Sequence, residues 1–232
     1  MNMFHQVGKV WARRQVAGLA QRRGYGVGAR RCPSCGSRLS TALPVCPGCR
    51  YVWGLEESIT HHELLGLPYG PNPFVVDRGE LKRRFLEAQR LCHPDGWATR
   101  SGRDKDAAAA VSNAVNRAYQ TLLSPMERIG YVLGRNGNEV GEGEQVEDMG
   151  LIMEVMEARE AIEQSEGEVL VELREANDGE YYDLSCVKGA LGEIEAAVGV
   201  EDWTGAKRWA VRLKYLLAIG DALEQRAGNA EW

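Results

Sequence analysis

Acidic residues are missing from the first quarter of this 232-residue chain: no Asp or Glu occurs before Glu56. The same stretch carries nine cations (Lys9, Arg13, Arg14, Arg22, Arg23, Arg30, Arg31, Arg38 and Arg50), leaving 19 of the 28 basic residues against all 33 acidic ones in the remainder. The formal net charge of -5 therefore averages a cationic start and an acidic body. No apolar run is long enough to span a bilayer as a helix, so no membrane partner is expected. No uninterrupted apolar core of a secretory signal precedes the body. Glycine-rich phosphate loops, internal repeats and low-complexity tracts are also missing, as are strand signals outside the cysteine-bearing segment. An acidic body repels phosphate, which argues against a nucleic-acid partner.

Residues 1–25 are Arg-rich, with Val10, Trp11, Val16 and Leu19 among the cations. That composition is expected of a mitochondrial presequence, and Arg23-Gly24-Tyr25 resembles a matrix-protease cleavage site. The competing reading of a basic terminus is a nucleic-acid-binding arm. The first reading places the mature chain in the mitochondrial matrix.

Residues 26–57 form a cysteine-bearing module. Cys32-Pro33-Ser34-Cys35 and Cys46-Pro47-Gly48-Cys49 are two C-x-x-C pairs ten residues apart. Two intervening residues let both sulfurs of a pair reach one ion from a tight turn, and four thiolates close a tetrahedral zinc shell, so a structural zinc site on Cys32, Cys35, Cys46 and Cys49 is predicted. About 30 residues cannot build a core unaided, and ligation replaces one. Disulfides are disfavoured in a reducing compartment, and a redox pair lacks its βαβ setting. An iron–sulfur ligand set remains chemically open, with the paired knuckle spacing favouring zinc. Cys92 and Cys186 lie on apolar helical faces and read as small core residues.

The rest of the chain is helical in pattern. Asp77 is placed to cap a helix whose apolar stripe is Leu81, Phe85, Ala88 and Cys92, with Lys82, Arg83 and Arg90 facing water. Pro94 ends that helix at about Cys92. After a polar loop from Gly96 to Asp104, a second stripe runs through Ala107, Val111, Ala114, Val115, Ala118, Tyr119 and Leu122 within residues 105–123. His93-Pro94-Asp95 thus caps an antiparallel hairpin on a rigid, exposed turn. A carboxylate held there beside a basic face suits docking to a partner with paired charges and an available arginine. The bland alternative is a chance turn, since Pro and Asp are common in turns. No nucleophile stands beside His93 and Asp95, so no catalytic residues are expected and the chain reads as a regulator of another enzyme.

A Gly- and acid-rich linker separates this hairpin from residues 149–232. There Leu151, Val155, Ala158 and Ile162 make one complete stripe, while Ile152, Met153 and Met156 stay apolar outside it beside Glu157 and Glu160. Surplus apolar residues with acidic neighbours suggest a partner surface, with a wider core as the alternative. A second helix carries Leu184, Val187, Leu191, Ile194 and Val198. A third carries Ala206, Trp209, Ala210, Leu213, Leu217 and Gly220, with Tyr215 off its stripe. Glu163 to Gly179 reads as either helix extension or loop. The expected fold is all-α: a helical hairpin and an antiparallel three-helix bundle, preceded by the small zinc-knuckle module.

The hairpin, with Asn116-Arg117-Ala118-Tyr119-Gln120-Thr121-Leu122-Leu123-Ser124-Pro125 after the His-Pro-Asp turn and His62-Glu63-Leu64-Leu65-Gly66-Leu67-Pro68 before it, resembles the J-domain. That module stimulates ATP hydrolysis by heat-shock protein 70 chaperones. The segments Ser124–Leu133 and Leu151–Glu160 narrow the resemblance to the HscB or Jac type of J-protein, dedicated to iron–sulfur cluster biogenesis, over about residues 58–226. It implies a J-domain at 58–135, a linker at 136–148 and a scaffold-binding bundle of the HscB oligomerisation type at 149–232. A similar tetracysteine module occurs in some eukaryotic relatives. The resemblance further implies that His93, Pro94, Asp95, Lys82, Arg83, Arg84 and Arg90 dock a mitochondrial heat-shock protein 70. Ile152, Met153, Met156, Glu157, Glu160 and Tyr215 would bind the iron–sulfur cluster scaffold protein. Two positions depart from the J-domain pattern: an aromatic is usual at one of His61 and His62, and a basic residue is often found where Gly96 stands. A general import or refolding J-protein and a nucleic-acid-binding zinc ribbon at the cysteine module are the alternative functions.

Overall fold

The computed structural model describes residues 30–141, 149–164 and 184–230. The expected presequence at 1–25 lies outside the described residues, as do 142–148 of the expected linker and 165–183 between the helices. Among the described residues there are seven α-helices and no strand: α1 (His61–Leu64), α2 (Arg78–Cys92), α3 (Gly102–Leu123), α4 (Pro125–Arg135), α5 (Met149–Gln164), α6 (Leu184–Gly199) and α7 (Trp203–Ala230). The all-α expectation holds.

Local sequence explains the helix starts. Thr60 and Glu63 close a capping box on α1: the Thr60 hydroxyl accepts from the Glu63 N–H and the Glu63 carboxylate accepts from the Thr60 N–H. Asp77 caps α2 by accepting from the Glu80 N–H, and Ser101 and Ser124 cap α3 and α4 in the same way. Pro125 occupies the first turn of α4, where its missing N–H costs nothing. The Ser101 cap starts α3 at Gly102, three residues before the predicted position. The expected loop after the turn is shorter too, because Pro94–Trp97 winds into a 3₁₀ turn that buries Trp97 completely.

Two main cores follow. In the first, α2 and α3 form the predicted hairpin with α1 packed on α3. Leu81, Ala88 and Cys92 face Ala108, Val111, Val115, Ala118 and Leu122, and the Phe85 and Tyr119 rings stack at 4.2 Å. Leu43, Val45 and Val52 of the cysteine module enter this same core, so the module is built onto the hairpin. The departure at His61 and His62 is accommodated: His61 stacks on Tyr131 at 4.2 Å, its backbone N–H donating to the Tyr131 hydroxyl, and His62 is buried edge-on to Tyr69. The two imidazoles occupy the aromatic role.

The second core joins α4 to the C-terminal helices. Ile129, Val132 and Leu133 of α4 and Phe74 of the α1–α2 loop pack with Ala190, Ile194 and Val198 of α6 and Ala206, Ala210 and Leu213 of α7. A smaller cluster seats Leu151, Val155, Ala158 and Ile162 of α5 on Ile219 and Leu223 of α7. The 28-residue α7 is therefore the spine of the bundle, touching α4, α5 and α6. This explains a departure from the predicted stripe: Leu216 and Ile219 are buried, whereas Leu217 is exposed. One stripe cannot serve two cores on different sides of a helix this long. Cys186 also departs from expectation, since it is exposed while Cys92 is buried. Cys186 lies one turn before Ala190 on the buried stripe of α6; helical spacing identifies that face but not where its cover ends.

Arg128 ties the two cores together. Its buried guanidinium donates to the carbonyls of Leu122, Leu123 and Phe74 and lies over the Phe74 ring. A cation beside the last carbonyls of α3 also complements the helix dipole. Burial lowers its pKa to about 10, which leaves it charged at neutral pH.

Candidate functional site

The His-Pro-Asp turn stands at the end of the hairpin. α2 stops at Cys92, His93 takes an extended conformation (φ -57°, ψ 130°) before the proline, and the 3₁₀ turn follows. The turn is anchored by Trp97, which has no exposed surface and whose indole N–H donates to the Leu91 carbonyl at 3.0 Å. His93 Nδ1 accepts from the Asp95 N–H at 3.3 Å and lies 3.6 Å from an Asp95 carboxylate oxygen. The Asp95 side chain is 92% exposed. The turn is thus a rigid mount that presents a carboxylate to solvent, a geometry suited to charge pairing with a partner. His93 serves to shape the turn.

The basic face of α2 is partly engaged. Lys82, Arg83 and Arg90 are exposed and Arg84 is half-buried. Arg83 pairs with Glu80 and Glu87, and Arg84 with Glu80. Hydrogen bonds from Arg83 and Arg84 hold the Glu80 carboxyl below its ordinary pKa. Exposed pairs of this kind contribute little to stability, so a partner carboxylate can exchange with them.

The four module cysteines converge: their sulfurs all lie within 4.8 Å of one another, with Cys32 to Cys49 at 3.6 Å and Cys35 to Cys46 at 3.7 Å. Tetrahedral zinc with Zn–S bonds of about 2.3 Å separates its sulfurs by about 3.8 Å, so the donor set and spacing fit the ion. Each knuckle closes by one bridge, Arg31 to Arg38 and Val45 to Val52, and the Cys49 N–H points at Cys46 Sγ. The Ser37 hydroxyl, 3.1 Å from Cys35 Sγ, and the Ser37 backbone lower the Cys35 pKa to about 6, while desolvation raises Cys49 to about 11. A bound cation would stabilise all four thiolates and release protons on loading. The four cysteines are arranged to hold a metal ion, and structural zinc is compatible with the arrangement.

On α5 two of the three surplus apolar residues stand clear of the core. Met153 and Met156 are 59% and 66% exposed, Ile152 is half-buried, and Glu157 and Glu160 are exposed. Met149, at 67% exposure, extends the stripe by one more turn at spacings of four and three; sequence reasoning missed it, although the spacing marks it. Tyr215 is half-buried against the α5–α7 cluster. It therefore stands at the seam beside α5, on the element that supports the methionine stripe.

A co-chaperone protein HscB homolog from Aliivibrio salmonicida is 33% identical over 175 residues, a span covering 72% of this chain and 96% of that protein. The chain belongs to the HscB co-chaperone family. The model for the HSCB C-terminal oligomerisation domain matches residues 147–224, which contain α5, α6 and most of α7. An Arabidopsis thaliana relative, described as an iron-sulfur cluster co-chaperone protein HscB homolog, is 32% identical over 135 residues, 58% of this chain and 52% of that one. The crystal structure of human co-chaperone protein HscB aligns with a TM-score of 0.71 at 27% identity, covering 85% of this chain and 98% of that one. Chaperone HscB from Vibrio cholerae aligns with a TM-score of 0.62 at 27% identity, covering 74% and 99%. The hairpin, its turn and the bundle thus belong to an HscB architecture. No helix among the described residues is long and apolar enough to cross a membrane.

Proposed function

We propose that this HscB-family chain binds the iron–sulfur cluster scaffold protein, delivers it to a mitochondrial heat-shock protein 70 chaperone and stimulates that chaperone's ATPase, so promoting cluster transfer. The observation that carries this reading is the pairing of two separate exposed surfaces on one frame: the His93-Pro94-Asp95 turn on the hairpin and the methionine stripe of α5 on the bundle. In this reading Asp95 pairs with an arginine of the ATPase, and Lys82, Arg83, Arg84 and Arg90 add charge complementarity. Docking favours the hydrolysis-competent state while the scaffold is held nearby, and the chain performs no covalent chemistry itself. Ile152, Met153, Met156, Glu157, Glu160 and Tyr215 carry the scaffold. Zinc on Cys32, Cys35, Cys46 and Cys49 is structural, and the Arg-rich, acid-free start supports a matrix location. The test measures the chaperone's ATPase rate with the chain alone, with the scaffold alone and with both. Stimulation by both that exceeds the sum of the separate effects supports the proposal. Equal enhancement by an arbitrary unfolded protein would favour a general import or refolding J-protein.

A further inference from the structure

We infer that Arg50, the residue immediately after the last metal ligand, is a positioning residue for the docking turn, which makes docking depend on the metal-loaded state of the tetracysteine module. The inference rests on the reading of the His-Pro-Asp turn as the chaperone-docking element.

The two knuckles share one backbone design. In the first, the Gly36 N–H donates to the Cys32 carbonyl and the Cys32 N–H to the Ser37 carbonyl; in the second, Arg50 and Tyr51 take the places of Gly36 and Ser37. The residue after the second cysteine is left-handed in both, with φ of 72° at Gly36 and 58° at Arg50. Glycine takes that conformation without strain, whereas a long L side chain does so rarely. A non-glycine residue held there calls for a role. The side chain supplies one. Arg50 Nη2 donates to the Gly96 carbonyl at 3.0 Å, and its guanidinium carbon lies 5.2 Å from the centre of the Trp97 ring. Gly96 and Trp97 are the second half of the turn that displays Asp95.

The turn is therefore fixed twice. Trp97 anchors it to the end of α2, and Arg50 clamps it from the metal module, 46 residues away in sequence. A Cβ at Gly96 would approach Arg50 Nη2 to 3.1 Å. A side chain at position 96 would thus require the Arg50 guanidinium to shift by a few tenths of an ångström. The basic group that J-domains often carry at this position is here supplied by the other module. Ligation by Cys46 and Cys49 holds the knuckle that holds Arg50 in its left-handed conformation. Metal loss would release the clamp.

The test uses the full chain loaded with zinc, as wild type, Arg50→Gly and Arg50→Lys. Arg50→Gly suits the backbone, so it should bind zinc with unchanged stoichiometry and melt no lower than wild type. It should nevertheless shift the Trp97 indole N–H and Gly96 amide resonances and raise the concentration giving half-maximal ATPase stimulation roughly five-fold, the worth of one net hydrogen bond. Arg50→Lys should recover part of that loss. Stripping zinc from wild type should move the same two resonances. Wild-type resonances and a wild-type half-maximal concentration in Arg50→Gly would overturn the inference while leaving the docking proposal intact. If the wild-type chain fails to stimulate the chaperone at all, the docking proposal falls instead, and unshifted resonances in Arg50→Gly would overturn the clamp on their own.

Discussion

His62 is a buried imidazole with one bonded nitrogen: Nε2–H donates to the Pro73 carbonyl at 3.0 Å, and Nδ1 has no partner. Burial lowers its pKa to about 4, whereas the unfolded chain keeps a value near 6.5. Between those values the unfolded state binds a proton that the folded state refuses, so stability falls as pH drops from 6.5 toward 4. The full effect is about 3 kcal/mol, and urea melts across that window should reveal it. His62→Phe should flatten the slope, consistent with the aromatic that J-domains favour here. Arg128 offers a second residue-scale prediction. Arg128→Met strands the carbonyls of Leu122 and Phe74 in buried surroundings and should cost about 3 kcal/mol, read as a lower urea midpoint. At this scale the sequence was uneven. The His-Pro-Asp turn was legible because its chemistry is local. Arg50 was not, since its role depends on a contact with residues 96 and 97 that only the folded chain creates.

α5 divides its apolar residues between a buried face and an exposed one. Leu151 and Val155 face α7, whereas Met149, Met153 and Met156 face solvent. Leu151→Ala should cost about 3 kcal/mol through lost burial and a residual cavity. Met153→Ala with Met156→Ala should leave the melting temperature nearly unchanged, because exposed substitutions cost little, yet weaken scaffold binding at least ten-fold if the stripe carries a binding hot spot. Calorimetry and a binding titration on the same proteins distinguish the two effects. The α5 stripe was readable in sequence because one neighbour covers one face. The α7 stripe was misread at Leu216, Leu217 and Ile219 because that helix serves two cores, and Cys186 was misplaced because spacing does not report where a helix loses its cover.

The molecule is one chain of packed elements from the cysteine module to the bundle. Leu43, Val45 and Val52 insert the module into the hairpin core, and α4 joins the hairpin to the bundle through Ile129, Val132 and Leu133. The sequence reading divided these units by motif but could not foresee the shared cores, since each helix face looks complete by itself. Zinc removal should consequently lower the melting temperature of the hairpin as well as unfold the module, and differential scanning calorimetry before and after chelation checks this. In the proposed function, docking and scaffold binding occupy separate surfaces of this frame. Single-turnover ATPase assays and scaffold titrations with Asp95→Ala test it most directly. Chaperone stimulation should be abolished while scaffold affinity stays within about two-fold of wild type, as expected for an exposed substitution remote from that surface. Loss of scaffold binding in that variant, or retained stimulation, would contradict it.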